Sequence, residues 1–166
     1  MKRIRRSARM IKQFQNAVKS RLAVKLLIYS LSACVILSLA ACAKTEIKPV
    51  DITENDLCFR CKSPIADNHY AAELMTKDGF VRKFDDMGCM LEHAKTKIGK
   101  GNIVAYFATD FPTQKWIEAD KAQFVKSDKF QTPRNGGILA FQDKAKAEAL
   151  AAQYQAKLVS LEELLK

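Results

Sequence analysis

The stretch YAAELMTKDGFVRKFDDMGCMLEHAKTKI, Tyr70 to Ile98, decides the fold. Its first residues, Tyr70 to Lys77, alternate imperfectly and end at Asp78-Gly79. That pair favours a tight hairpin turn, because both residues tolerate left-handed backbone angles. FVRKF, Phe80 to Phe84, follows as the partner strand. Asp85-Asp86 then offers an N-cap, a side-chain oxygen for the free N–H groups of a starting helix. MGCMLEHAKTKI continues at helical spacing to Ile98, and Gly99 stops it. NIVAYFAT, Asn102 to Thr109, reads as a third strand, so the order is ββαβ.

The second half repeats this order. Trp116 to Lys126 reads as a strand interrupted around Asp120, and Gly137 to Gln142 as the next. Asp143 caps a helix predicted to run through Ala156; KLVSL forms a last strand and EELLK a terminal turn. Aligning FVRKFDD with ILAFQD sets Phe84 over Phe141 and Asp86 over Asp143. The expected fold class is α+β, two similar ββαβ units over about 57–109 and 110–166.

The two helices carry different patterns. In the second, Ala147, Leu150, Ala151 and Tyr154 share one side at helical spacing, a core stripe. In the first, Met87, Leu91, Ala94 and Ile98 form the predicted buried face. Cys89 and His93, four apart, share another face, with Met90 at the border. Cys89 also falls in the first turn, where free N–H groups and the helix dipole favour a thiolate, the form that ligates metal.

Charge is distributed unevenly. Nine of the 28 Lys and Arg lie in residues 1–41 with no acidic residue, which leaves 19 basic against 18 acidic elsewhere, a balance that does not support a basic nucleic-acid footprint there. The basic stretch leads into LLIYSLSACVILSLAAC, Leu26 to Cys42. Its short apolar run flanked by small residues suits a signal peptide over 1–41 better than a permanent span, the alternative being an uncleaved anchor. Leu39-Ala40-Ala41-Cys42 resembles a bacterial lipobox, which implies cleavage before Cys42 and lipidation of its thiol. The expected location is the cell envelope, lipid-anchored on the periplasmic face. Ala43 stands where an Asp retention signal would be, which points to the outer membrane in a cell that has two. Residues 42–56 are polar, with the lipidated Cys followed by an expected flexible tether.

Three thiols then remain, Cys58, Cys61 and Cys89. A Cys58–Cys61 disulfide fits an oxidising compartment. A thioredoxin-type redox centre does not fit well, since Pro64 and a loop follow the pair. Structural zinc could use Cys58, Cys61, Cys89 and His93 at tetrahedral-site spacing. A sulfur-rich set with Met90 nearby equally suits Cu(I). His69, in a polar run, reads as solvated rather than as a ligand. No nucleophile elbow or phosphate loop is present, so the chain is not expected to be an enzyme.

CFRCKSPIADNHYAAELMTKDGFVRKFDDMGCM resembles the NosL family, accessory lipoproteins of nitrous-oxide reductase. ATDFPTQKWIEADKAQFV and TPRNGGILAF are similar to further segments of that family, so the resemblance spans Cys58 to Leu164. It implies a fold of two ββαβ units over 57–166. It also implies Cu(I) binding, with Cys61 as the matching thiol, and delivery to the reductase with its membrane-bound maturation partners. Two positions depart from the family pattern. Ser63 and Arg134 stand where it carries Met, so the expected ligand set shifts to Cys58, Cys61 and Cys89 with Met90 or His93. The alternative is a zinc-binding or non-metal scaffolding lipoprotein.

Overall fold

The computed structural model describes residues 47–96 and 101–166. The expected signal peptide, the lipobox-like stretch with Cys42, and Ile98 and Gly99 lie outside the described residues. The first sheet is built from β1 (Ala72–Thr76), β2 (Val81–Phe84), β3 (Ile103–Thr109) and β4 (Trp116–Glu118). The second holds β5 (Gln123–Lys126), β6 (Ile138–Phe141) and β7 (Lys157–Val159). Helix α1 (Met87–Ala94) follows β2, α2 (Lys144–Tyr154) follows β6, and a short α3 (Leu161–Leu165) ends the chain.

The two sheets share a topology. Their orders are β2-β1-β3-β4 and β6-β5-β7. In each, the first strand of a hairpin lies in the middle, its partner on one side, and the strand after the helix on the other. Every strand pair is antiparallel. The first hairpin turns at Asp78-Gly79, where Gly79 has φ of +84°, a left-handed conformation that Gly adopts without strain. The repeat therefore extends to strand order and direction.

Three expectations need correction. The Trp116–Lys126 segment is two strands in different sheets: β4 pairs with β3, and β5 is the centre of the second sheet. A turn at Asp120 and Lys121 separates them, where Lys121 N donates to Glu118 O. Helix α1 ends at Ala94, with Lys95 as its C-cap, earlier than Ile98. Residues 50–56, expected as tether, pack on the domain. Val50 N donates to both carboxylate oxygens of Glu73 at 3.2 and 3.1 Å, and Lys83 Nζ donates to Asp51 O and Asp56 Oδ2 at 2.7 Å each.

The main core crosses both sheets. Leu74, Phe84 and Met90 of the first unit lie in one buried cluster with Phe124, Ile138, Leu161 and Leu164 of the second. A smaller cluster under α2 gathers Val125, Leu139, Phe141, Ala147 and Ala151. Ala147 and Ala151 belong to the predicted stripe; Tyr154 is more exposed and stacks edge-on against Phe130 at 5.3 Å. Both helices start on the predicted Asp. Asp86 accepts from Gly88 N, and Asp143 from Ala145 N and Lys146 N.

Candidate metal centre

The site begins with a closed turn. Cys58 N donates to Ser63 O at 2.8 Å and Lys62 N to Cys58 O at 2.9 Å, with Lys62 left-handed at φ of +63°. Phe59 N donates to Lys83 O at 2.8 Å, which fixes the turn to β2. This knuckle presents the Cys58 and Cys61 thiols toward the end of β2, where Asp85 precedes α1, and toward Cys89 in the first turn of α1.

Ligand atoms of Cys58, Cys61, Asp85 and Cys89 all lie within 4.8 Å of one another. The three cysteines are free thiols. Cys58, Cys89 and Asp85 are buried; Cys61 is half-buried and is the accessible member. The Cys61 thiol donates to Asp85 Oδ2 across 3.5 Å. Asp85 Oδ1, by contrast, is buried and has no hydrogen-bond partner among the described residues. A buried unpaired carboxylate oxygen is costly, so its place among three thiols fits a group that receives a cation.

The thiols are held unequally. Burial raises the pKa of Cys58, and the neighbouring Asp85 adds to the rise. Burial also pushes Cys89 far up, and the nearby Cys58 and Asp85 side chains add to the rise. The helix dipole expected to favour a Cys89 thiolate is outweighed. Cys61 goes the other way. Partial burial raises it, but the Ser63 backbone N–H, the Arg134 guanidinium and the Cys58 thiol together hold it below its ordinary value. Cys61 is therefore the reachable thiol and the one most ready to be a thiolate.

The other proposed ligands lie elsewhere. Met90 is fully buried in the main core. His93 is outside the four-residue group. Its ring stands 5.0 Å from that of Phe59 and 5.8 Å from that of Phe84, and its Nε2 is 3.4 Å from Arg82 Nη1. His69 is tied to the surface by Asp67 at 2.6 Å and Gln114 at 2.9 Å. Cys89, expected on a face away from the core, is buried in it. Asp85 is the residue that the sequence reading missed. The signal was the Asp85-Asp86 doublet, since only one of two adjacent acids can cap a helix.

A second loop closes the site. Thr132 Oγ1 and Arg134 N both donate to Asp86 Oδ2. Arg134 then extends over the thiols: its Nη2 donates to Ser63 Oγ at 2.9 Å, and its Nε lies 3.7 Å from Asp85 Oδ2. The two positions that depart from the family pattern thus touch each other.

Fold and site define an α+β protein of two ββαβ units with a cluster of three thiols and a carboxylate, able to hold a metal ion, between a knuckle and a helix start. The chain belongs to the NosL family, whose sequence model matches residues 49–166. No curated protein sequence matches it. Among solved structures it is similar to the copper chaperone NosL from Shewanella denitrificans, at 21% identity and a TM-score of 0.65, covering 70% of this chain and 94% of that one. That likeness carries the fold.

Proposed function

We propose that this protein is a Cu(I) carrier of the cell envelope that assists copper-site assembly in nitrous-oxide reductase. The observation that carries the reading is the convergence of Cys58, Cys61 and Cys89 within 4.8 Å, with Asp85 among them. Thiolates suit a soft monovalent ion. Family membership and the structural likeness to a copper chaperone support the same reading.

Carriage rather than storage follows from accessibility. Cys58 and Cys89 hold the ion from inside, and half-buried Cys61 is where a recipient's ligand attacks. Transfer proceeds by ligand exchange: a recipient thiolate or imidazole joins the ion, Cys61 leaves, and the buried thiols follow. No bond of a substrate is broken, so the protein acts as a carrier and not as an enzyme. A lipid at Cys42 tethers it to the membrane, facing the periplasm and most simply the outer membrane. The reductase's maturation proteins are the recipients.

Anaerobic Cu(I) competition titration tests the reading. The wild-type chain is expected to bind one Cu(I) far more tightly than micromolar, and Cys61→Ser to lose at least 100-fold, on the order of 3 kcal/mol. Micromolar binding with no loss on Cys61→Ser would sink it.

One observation favours a second metal. The unpaired Asp85 oxygen is a hard donor, and a Cys₃Asp set is one that Zn(II) accepts. A zinc protein would be purified with stoichiometric zinc and lose structure on chelation.

A further inference from the structure

The cluster gathers up to four anionic donors in a largely desolvated pocket. Three thiolates and a carboxylate leave a site of charge −3 around a monovalent ion and −2 around a divalent one. Buried uncompensated charge is costly, so a counter-cation matters here. Arg134 is placed to be that cation. Its Nε lies 3.7 Å from Asp85 Oδ2, the oxygen to which the Cys61 thiol donates.

The placement is fixed from three directions. Arg134 N donates to Asp86 at 3.2 Å, which pins the backbone to the start of α1. Nη2 donates to Ser63 Oγ at 2.9 Å, which pins the head group to the knuckle. Asp85 holds the intervening Nε. Ser63 accepts this bond and is a poor soft-metal ligand, so it positions the cation without competing for the ion. An Arg suits the task because its planar fork makes several directed contacts at once and never loses its charge.

We propose that Arg134, positioned by Ser63, is a charge filter that sets the metal selectivity of this site, favouring a monovalent soft ion over a divalent one. The inference rests on the copper-carrier reading and deepens it. Cu(I) and Zn(II) have the same closed d¹⁰ shell and differ by one unit of nuclear charge. For any given number of thiolates, the guanidinium therefore meets one more net negative charge in the Cu(I)-loaded site. Its attraction to the loaded site is larger by one charge–charge interaction, whichever way the two absolute affinities move. With the Arg134 side chain 42% exposed, solvent screens that interaction, and an effect on the order of ten-fold is expected.

The test measures Cu(I) and Zn(II) affinities by competition in the full chain for wild type, Arg134→Gln and Arg134→Lys, with circular dichroism to establish that each is folded. The Cu(I)-to-Zn(II) affinity ratio is expected to fall about ten-fold in Arg134→Gln, and Arg134→Lys should keep most of it. A fall of more than about threefold, retained charge rescuing it, supports the filter. A ratio that falls less, stays or rises in Arg134→Gln overturns it, as does an equal fall in Arg134→Lys. If wild type itself fails to bind Cu(I), the carrier reading fails first, and the two failures are distinguishable.

Discussion

Asp85 and Asp86 are neighbours with the same side chain and opposite surroundings. Asp86 turns into the helix start and accepts from Gly88, Thr132 and Arg134. Asp85 turns into the thiols and leaves one oxygen unpaired. Its carboxylate is a harder donor than sulfur, so Zn(II) should depend on it more than Cu(I) does. Asp85→Asn is expected to weaken Zn(II) on the order of ten-fold and Cu(I) only a few-fold. Competition titration of both metals checks this, and a Cu(I) loss as large as that of Cys61→Ser would contradict it. The thiols were legible because C-x-x-C and a helix-start Cys are patterns of residue type. Asp85 was not, because an acid before a helix has a sufficient local explanation as a cap. Only the fold reveals which acid of the doublet caps. Likewise, Ser63 and Arg134 lie 71 residues apart, and spacing alone does not show that they touch.

Helix starts show how one local device carries different loads. Asp86 and Asp143 occupy the same place in the two units, each ending a ββ hairpin and capping the helix that follows. Asp143 is exposed and serves only its own helix. Asp86 is buried and also holds the Thr132–Arg134 loop. Two glycines make that closeness feasible. A Cβ on Gly88 would meet Asp86 Oδ1 at 2.9 Å and Gly136 Cα at 3.1 Å, and one on Gly136 would run into the Asp86 carboxylate. Asp143→Ala should therefore cost about 1 kcal/mol. Asp86→Ala should cost about 3–5 kcal/mol, since it also strands Thr132 and Arg134 donors. Urea denaturation of the metal-free chain measures both, and equal losses would show that Asp86 is an ordinary cap. At this scale the sequence was informative, since strand, cap and helix follow from alternation, Asp and apolar spacing. The break in Trp116–Lys126 was half legible. The turn residues mark an interruption, but nothing local says that β4 and β5 join different sheets. That is decided by which apolar faces find a partner.

The main core spreads over both sheets, and a buried carboxylate on β1 makes stability depend on pH. Glu73 is fully buried on β1, opposite Lys83 in the strand register. Burial raises its pKa to about 7, although the Val50 N–H and the Lys83 charge pull it down. The direction of the linkage follows. Between the unfolded value near 4.5 and the folded value of about 7, the folded chain holds the proton more firmly. Stability contributed by Glu73 is full below about pH 4.5, is lost as pH rises through that window, and is flat above about 7. The size is about 3 kcal/mol over the full window. His93 works in the opposite sense, because burial and the nearby Arg82 and Arg60 lower its pKa. The comparison with Glu73→Gln cancels that contribution. The amide keeps an oxygen for the Val50 N–H and cannot ionise. Urea midpoints from pH 5 to pH 8 should therefore show wild type losing stability relative to Glu73→Gln as pH rises, with the variant the more stable at pH 8. Parallel curves would mean that Glu73 ionises in the folded chain as readily as in the unfolded one.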